Sequence, residues 1–295
     1  MTKVAYSVVG IFGPTASGKS AVAHALAIRL GTEVVSADAL QVYAGLRILT
    51  NQGPEPARLV AFRPLSDEMS VGEYATLAHA AIDELVASRG HAVVAGGTGL
   101  YLRAALAELG IPAAVEPERR GALERAYDAD PTGAHERLAQ LDPAAARLVH
   151  TNDRRRVVRA LELAEVGSSL VPESDELWST SMRHSTLVIG LELSPAELDR
   201  RIAARTEDML ARGAVAEARA ALAGPISRTA AKALGLAELA SLPPDEAEQR
   251  LALRTRRYAA YQRKWMRRIP GIVLVDGDRP SEEVVDDILD LARAG

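Results

Sequence analysis

The chain has 295 residues, of which 48% are hydrophobic and 25% charged, a composition typical of a globular protein with one large domain or a domain carrying an insertion. It contains no cysteine, which excludes a disulfide scaffold, a thiolate-bound metal and a cysteine nucleophile. The net charge of −4 gives no overall indication of nucleic-acid binding.

The first hundred residues alternate strand-like and helix-like segments. A nearly continuous apolar run over Val4–Phe12 ends at Gly13 and is typical of a buried parallel strand. Further strands are predicted over Glu33–Ser36 and His91–Ala95, and helices over Lys19–Leu30 and Gly72–Ser88. Because strands and helices alternate in this way, we expect a parallel sheet covered by helices on both faces.

The middle of the chain changes character, because residues 111–164 carry only helical signals. Asp142, directly before Pro143, is predicted to begin one helix, and Asp153 is predicted to cap the next. The simplest interpretation is a helical insertion domain over residues 111–164. It divides a catalytic core that is formed by residues 1–110 and 165–295.

Core elements return after a polar stretch over Ser168–Ser181, which is predicted to be a mobile loop. Strands are predicted over Thr186–Leu193 and Gly271–Val275, and helices over Pro195–Leu222 and Glu246–Arg268. The part of the chain after the insertion therefore adds further strands and helices to the same core.

A glycine-rich motif lies between the first strand and the first helix. Gly13, Pro14, Thr15, Ala16, Ser17, Gly18, Lys19 and Ser20 match G-x-x-x-x-G-K-[ST], the pattern of a phosphate-binding loop, or P-loop. Its glycines let backbone amides turn towards phosphate oxygens, and the helix N-terminus adds its positive dipole end. Lys19 supplies a cation, and the Ser20 hydroxyl is suited to bind Mg²⁺. We therefore expect a P-loop NTPase-like α/β fold that binds a di- or triphosphate.

The second predicted strand runs into the segment SADALQVY at 36–43. Asp38 stands at the carboxyl end of this strand, where open α/β sheets bind their ligands. Its carboxylate could help to hold Mg²⁺ or act as a general base, and the alternative is a helix N-cap. Gln41 could hydrogen-bond to a base edge or stabilise a turn.

The strand predicted over His91–Ala95 runs into GGTGLY at 96–101. Glycines there allow a close approach of the backbone, and Thr98 offers a hydroxyl at the same edge of the sheet as the P-loop. The three segments together predict three walls of one site. No aliphatic run ending in Asp follows in the Walker B manner, which argues against an ordinary ATPase.

Two stretches concentrate positive charge. Residues 254–268 are rich in Lys and Arg and hold no acid, and a second group comprises Arg154, Arg155, Arg156 and Arg159. An acidic protein can bind a polyanion through such stripes. Solvated helix faces are the alternative interpretation.

Five segments together resemble the family of tRNA dimethylallyltransferases, also called tRNA isopentenyltransferases. They are GPTASGKS at 13–20, SADALQVY at 36–43, GGTGLYL at 96–102, HTNDRRRVVRALE at 150–162 and RTRRYAAYQRKWMR at 254–267. The chain looks like a bacterial member that lacks the C-terminal zinc finger of some eukaryotic relatives, in keeping with the absence of cysteine.

The resemblance implies transfer of a dimethylallyl group from its diphosphate to N6 of the adenine 3′ of the anticodon, position 37 of tRNA. The P-loop would then bind diphosphate and Mg²⁺ rather than ATP. Asp38 would accept the N6 proton, and Thr98 would hydrogen-bond to the oxygen between the diphosphate and the allyl carbon. Arg205 matches a family arginine that reaches the diphosphate, or else it is an exposed helix charge paired with Asp208 or Glu207. Arg201 is expected to be a surface residue.

Docking of the anticodon stem-loop is expected to involve both basic stretches. The target adenine must leave its stack to be modified. Residues predicted to bind tRNA are Asp38, Ala39, Leu40 and Gln41 around that base, Arg155, Arg156 and Arg159 in the insertion, and Lys232. Tyr258 and Trp265, seven residues apart on the basic helix, are interpreted as core anchors in preference to stacking platforms.

Two departures from the family pattern concern tRNA docking. A family His-His pair is replaced by Ala57-Arg58 in a shortened loop over 53–58, and an Ile-Gly-Tyr-Lys-like segment appears as Leu234-Gly235-Leu236-Ala237. Two alternative enzymatic functions stay open. They are prenylation of free adenine nucleotides, which the helical insertion argues against, and small-molecule phosphorylation by a P-loop kinase. A non-enzymatic alternative is a nucleotide-gated RNA-binding module.

The sequence also predicts where the protein works. No apolar run approaches the roughly 18 residues of a membrane span. The N-terminus passes directly into a strand-like run and lacks the layout of a signal peptide. We expect a cytoplasmic monomer that binds tRNA and dimethylallyl diphosphate and makes no membrane contact.

Overall fold

The computed structural model describes residues 5–111, 117–171 and 176–294. They fold as two units, one formed by the chain up to Leu109 and again from Leu177, the other by Gly110–Glu176. Val4, residues 112–116 of the predicted insertion and residues 172–175 of the predicted loop lie outside the described residues. Within those residues no helix is both long and apolar enough to cross a membrane.

The first unit contains one sheet of six parallel strands. The strands are β1 (Val8–Phe12), β2 (Val34–Ser36), β3 (Ala57–Arg58), β4 (Ala92–Gly96), β5 (Thr186–Glu192) and β6 (Val273–Asp276), in the order β3-β2-β4-β1-β5-β6. The predicted parallel α/β fold is confirmed. Every residue of β1 and β4 is buried, which explains their continuous apolar runs.

The shortened loop expected over 53–58 contains a strand, because Ala57–Arg58 pairs with β2 at the edge of the sheet. Arg58 holds this edge through ion pairs with Glu33 at 2.9 Å and Glu84 at 2.7 Å. A strand of two residues has no readable periodicity, so the sequence pattern did not reveal it.

Twelve helices are described along the chain. They are α1 (Lys19–Leu30), α2 (Val71–Arg89), α3 (Gly99–Leu106), α4 (Pro117–Ala129), α5 (Pro131–Leu141), α6 (Pro143–Leu148), α7 (Arg154–Ala164), α8 (Pro195–Ala211), α9 (Ala214–Leu222), α10 (Leu236–Ser241), α11 (Pro244–Met266) and α12 (Ser281–Ala294). The single helix predicted over Pro195–Leu222 is two helices, since Gly213 adopts a left-handed φ of 95° that ends the first.

One hydrophobic core lies between the sheet and α1, the helix that follows the P-loop. Val22, Leu26 and Leu30 on α1 belong to one buried cluster with Ile11 and Val93 of the sheet, and α12 packs against α1. Truncating Leu26, which has no exposed surface, would cost about 2–5 kcal/mol of folding free energy. The strand before the P-loop and the helix after it are therefore held together by buried packing.

The described residues of the second unit form helices α4 to α7 and the turns that connect them, and they have their own core around Leu138, Val157 and Leu161. Asp142 and Asp153 cap α6 and α7 by accepting hydrogen bonds from Ala145 N and Arg156 N, so both predicted caps are confirmed. The unit continues beyond residue 164. Ser169 donates a hydrogen bond to Asp142 at 2.6 Å, and Leu170 and Val171 pack against the core.

Candidate active site

The three motif segments follow neighbouring strands at one edge of the sheet. The P-loop follows β1, SADALQVY follows β2 and GGTGLY follows β4, and the strand register aligns Phe12 with Gly96 and Ser36 with Ala95. A Cβ at Gly96 would lie 2.0 Å from the carbonyl oxygen of Ala37. Only glycine permits this approach, so Gly96 sets the spacing between the second and third walls of the site.

The P-loop backbone adopts two left-handed residues, Ala16 with φ 65° and Gly18 with φ 86°. Gly18 is the N-cap residue of α1 and provides no side-chain cap, so the N-terminal amides of this helix are open to a ligand. The Ser17 hydroxyl is buried and has no hydrogen-bond partner among the described residues. A buried, unsatisfied hydroxyl beside open amides fits an anion-binding cradle.

Two cations and one carboxylate surround this cradle. Lys19 donates from Nζ to the carbonyl oxygen of Pro14 at 3.4 Å, and Arg205 on α8 donates from Nη1 to Thr15 Oγ1 at 2.9 Å. Burial lowers the pKa of Lys19 to about 8, the carboxylate of Asp38 opposes this change, and Arg205 reinforces it. The pKa of Arg205 is lowered by burial, against the field of Asp38. The site therefore carries positive charge that a ligand anion would neutralise.

The structure does not support the interpretation of Arg205 as an exposed helix charge paired with Asp208 or Glu207. Its guanidinium contacts the P-loop, and Asp208 forms an ion pair with Arg212 at 3.1 Å. Contact of Arg205 with a diphosphate stays a prediction. Arg201, expected to be a surface residue, is partly exposed and also contacts the P-loop. Arg201 donates to the carbonyl oxygens of Ser17 and Gly277, both at 3.2 Å, and thereby ties α8 to the P-loop.

Asp38 is half-buried at the end of β2 and begins a turn. Its Oδ1 accepts hydrogen bonds from Leu40 N at 2.9 Å and Gln41 N at 3.4 Å. The alternative interpretation as a helix N-cap is wrong, because no helix follows within residues 39–70. The turn holds the carboxylate where its field reaches Lys19 and Arg205.

The Gln41 amide is engaged within the same segment. Its Oε1 accepts from Ser36 Oγ at 2.8 Å, and its Nε2 donates to the carbonyl oxygen of Thr50 at 3.1 Å. These bonds stabilise the turn, and hydrogen bonding of Gln41 to a base edge stays a prediction.

Thr98 lies two residues after the end of β4, and its Oγ1 accepts a hydrogen bond from Ala39 N at 3.4 Å. Tyr258 on α11 also belongs to this group. Burial, and then the Asp38 carboxylate, raise the pKa of Tyr258, whereas hydrogen bonding with Thr98 and Gln262 opposes the rise. Thr98, Asp38 and Tyr258 are thus brought together, although Tyr258 was predicted only as a core anchor.

Gln262 on α11 was not predicted, and it joins two walls of the site. Its Oε1 accepts from Thr15 N at 2.7 Å, and its Nε2 donates to the carbonyl oxygen of Gly97 at 2.8 Å. The amide is 2% exposed. The sequence contains a signal for it, since Thr255, Ala259, Gln262 and Met266 recur at helical spacing as the buried face of a basic helix.

We expect Gln262→Met to lower kcat about 100-fold with little change in KM, because a misplacement of about 1 Å between reacting groups costs that much. Methionine fills the same volume but neither accepts from Thr15 N nor donates to Gly97 O. Steady-state kinetics of Gln262→Met and of Gln249→Met, an exposed position on the same helix, measure the difference. Equal kcat values in the two variants would contradict this role.

The predicted tRNA-binding arginines differ in their surroundings. Arg155 and Arg156 are exposed on α7. Arg159 forms an ion pair at 3.0 Å with Glu162, which is 1% exposed, so at least part of its charge stabilises the helical unit itself. Lys232 is exposed on a short 3-10 turn over Ala230–Lys232.

One residue of the segment Leu234–Ala237 lies close to the P-loop. Leu236 is buried, and Leu234 lines a small pocket together with Thr15, Arg205 and Leu251. Leu234 therefore contributes an apolar wall beside the P-loop residue Thr15. Among the described residues no group of three or more His, Asp or Glu is arranged to hold a metal ion.

The chain matches the sequence model of the family described as IPP transferase over residues 41–269, and that described as isopentenyl transferase over residues 6–63. Among curated proteins, the tRNA dimethylallyltransferase of Salinispora tropica is 39% identical over 284 residues, which cover 92% of this chain and 88% of the relative. That of Anaeromyxobacter dehalogenans is 40% identical over 282 residues, covering 90% and 93%.

Solved structures of tRNA isopentenyltransferases and dimethylallyltransferases also align with this chain. A tRNA isopentenylpyrophosphate transferase from Bacillus halodurans aligns with a TM-score of 0.69 and 29% identity over 97% of this chain and 95% of the other. A eukaryotic dimethylallyltransferase acting on tRNA aligns with a TM-score of 0.75 and 25% identity, covering 96% of this chain and 79% of the other.

Proposed function

The chain belongs to the IPP transferase family, and on this premise we propose that it transfers a dimethylallyl group from dimethylallyl diphosphate to N6 of the adenine 3′ of the anticodon in tRNA. The observation that carries this proposal is the meeting of three walls at one sheet edge, with a P-loop cradle, the Asp38 carboxylate and the Thr98 hydroxyl. Relatives named for this activity cover most of the chain and favour it over the two alternative enzymatic functions.

The diphosphate would occupy the P-loop. Amides at the start of α1 and the unpartnered Ser17 hydroxyl supply donors, and Lys19 and Arg205 supply charge. The Ser20 hydroxyl, exposed on the first turn of α1, fits Mg²⁺, which keeps several waters and commonly needs one protein oxygen beside the phosphates. When bound, Mg²⁺ would neutralise charge on the leaving diphosphate.

The reaction breaks one C–O bond and forms one C–N bond. The adenine N6 attacks the allylic carbon, and the electron pair of the C–O bond leaves with the diphosphate. Thr98 would donate a hydrogen bond to the departing oxygen, and Asp38 would take the proton that N6 loses. Most of the rate enhancement then comes from fixed charges around the diphosphate.

Affinity for inorganic diphosphate should fall as the pH rises above about 8. Lys19 in the free protein loses its proton there, whereas the bound anion raises the pKa of this side chain and requires the proton back. Each further pH unit then costs up to about tenfold in affinity. Calorimetric titration of the wild type and of Lys19→Arg separates this effect from ionisation of the ligand. The same pH dependence in both proteins would contradict it.

The tRNA would contact the segment 38–41, Arg155, Arg156 and Lys232. We assign Gln41 a role in shaping that segment and Arg159 a role in supporting α7. Joint replacement of Arg155 and Arg156 by alanine should reduce the salt dependence of tRNA binding by about 0.7–0.9 in log–log slope for each phosphate that is no longer neutralised. Arg154→Ala is the control, since Arg154 is paired with Asp128 at 2.6 Å. An unchanged slope in the double variant would refute the role of these arginines in binding phosphate.

Binding of an isolated anticodon stem-loop, compared with AMP, tests the choice of substrate. We expect the stem-loop to bind and be prenylated, and AMP to be neither bound nor modified at the same concentration. Prenylation of AMP alone would instead favour the free-nucleotide activity. Phosphoryl transfer from ATP with no use of dimethylallyl diphosphate would favour a kinase.

We also propose that the protein works as a monomer in the cytoplasm.

A further inference from the structure

Four side chains of the first unit form an aromatic stack at the surface beside α11. The rings of Trp178 and Trp265 have centroids 4.9 Å apart, and the Arg268 guanidinium lies 3.9 Å from the Trp178 ring centroid. The Trp265 indole donates a hydrogen bond to the Tyr261 hydroxyl at 2.7 Å. We refer to Trp178, Trp265, Tyr261 and Arg268 as the aromatic stack.

Trp265 of the aromatic stack packs on the loop that carries Thr98. A Cβ at Gly99, the residue after Thr98, would lie 2.2 Å from the Trp265 ring, so the indole packs directly on this backbone. Tyr258 and Trp265 are seven residues apart and share one face of α11. At 3.6 residues per turn, Tyr261 lies about 60° further round the helix from Tyr258, and Arg268 follows in the turn just after α11 ends at Met266. The stack therefore leads from the Thr98 loop to the flank of α11.

The outer end is exposed and positively charged. Tyr261 is 55% exposed, Lys264 and Arg257 are exposed on the same side of α11, and Arg268 is exposed in the turn that follows the helix. In the described part of the chain no carboxylate lies within ion-pair distance of these three cations. An exposed ring bordered by unneutralised cations fits an unpaired nucleotide, which has a π face and a phosphate.

Buried hydrogen bonds fix the backbone on either side of Trp178 in the aromatic stack. Arg103 on α3 is fully buried and donates to the carbonyl oxygens of Leu177 at 2.9 Å and Ser179 at 3.0 Å, on either side of Trp178. A pre-positioned aromatic surface loses little conformational entropy when a base stacks on it.

We propose that the aromatic stack, through Tyr261 and Arg268, binds a nucleotide that flanks the target adenine in the RNA loop. The inference rests on the proposed function. Extrusion of one base leaves its neighbours without a stacking partner, and a platform beside Thr98 would replace that partner. Arginine suits the position because its planar guanidinium stacks on bases, which a lysine ammonium does not.

The chain itself provides a probe, because its two tryptophans are both in the aromatic stack. Titration with an anticodon stem-loop should therefore change the intrinsic tryptophan fluorescence. Two further stem-loops each carry one abasic nucleotide, on the 5′ or on the 3′ side of the target adenine. One of the two should bind more weakly and lose the fluorescence change, and a fully paired RNA duplex should leave the fluorescence unaltered. A fluorescence change equal to that of the intact stem-loop, seen with the duplex or with both abasic stem-loops, would overturn the proposal.

Variants assign the effect to side chains. Tyr261→Ala should weaken stem-loop binding about tenfold with an unchanged salt slope, and Tyr261→Phe should bind like the wild type. Arg268→Lys keeps the charge and should weaken binding severalfold. The control is Arg256→Lys on the opposite flank of the helix, where Arg256 faces Asp199 at 3.4 Å. Wild-type affinity in Tyr261→Ala would refute the stacking role.

Two further readouts keep this result separate from other failures. Diphosphate affinity and unfolding temperature of Tyr261→Ala should match those of Tyr261→Phe, and a loss of both would reject a specific role in RNA binding. Transfer by the wild type is measured in parallel. Fluorescence that reports stem-loop binding without any transfer would reject the proposed function and leave the platform in place.

Discussion

Replacing Asp38 by alanine should lower the rate of dimethylallyl transfer by about 10²- to 10⁴-fold, the usual contribution of a positioned general base. An exocyclic amine is a weak nucleophile and must lose a proton as the C–N bond forms. The Asp38 carboxylate is held by two backbone N–H groups, from Leu40 and Gln41, and its field reaches Lys19 and Arg205 across the site. Single-turnover measurements with saturating tRNA give the rate directly.

Asp38→Asn distinguishes the role of Asp38 as a general base from its role in holding the turn. Asparagine retains an oxygen that can accept from Leu40 N, so the turn should persist, but it cannot take up the proton. We expect both variants to be similarly slow and to bind tRNA nearly as tightly as the wild type. Normal turnover at saturating tRNA combined with a large loss of tRNA affinity would show that Asp38 binds and does not catalyse.

Replacing Thr98 by alanine should lower kcat by about 10²- to 10³-fold, the typical cost of removing one donor to a developing negative charge. The hydroxyl would stabilise the oxygen on which charge accumulates as the allyl group departs. Its position is set by Gly96, by the bond from Ala39 N and by Tyr258 on α11. The effect belongs to the transition state, so tRNA affinity should stay within about twofold of the wild type.

Thr98→Ser is the matched control for this prediction, because serine keeps the hydroxyl and the acceptor for Ala39 N. It should recover most of the activity that Thr98→Ala loses. If serine were as slow as alanine, the missing methyl group would explain the effect, and the hydrogen bond to the leaving oxygen would have no support.

Most of the site's framework could be predicted from local sequence. The P-loop pattern specifies backbone geometry through Gly13, Gly18 and Lys19, and apolar runs before each motif identify the strands that end there. Since the carboxyl ends of parallel strands meet at one edge, three motifs predict one site. The extent of each strand was less exact, as β1 begins at Val8 and not at Val4.

Contacts made across the tertiary structure could not be read in the same way. Arg201 and Arg205 are four residues apart on α8, and nothing in their local sequence shows that both reach the P-loop. Gln262 meets Thr15 and Gly97, which are 247 and 165 residues away. Short elements such as β3 were missed for another reason, because two residues cannot establish a period.

The central claim is tested most directly by mass analysis of tRNA nucleosides. Wild-type protein is incubated with tRNA, dimethylallyl diphosphate and Mg²⁺, the tRNA is digested, and adenosine and N6-isopentenyladenosine are quantified. We predict isopentenylation of the adenine 3′ of the anticodon, with release of diphosphate, and almost none with Asp38→Asn. Unmodified adenosine in that tRNA, with the donor still intact, would contradict the account.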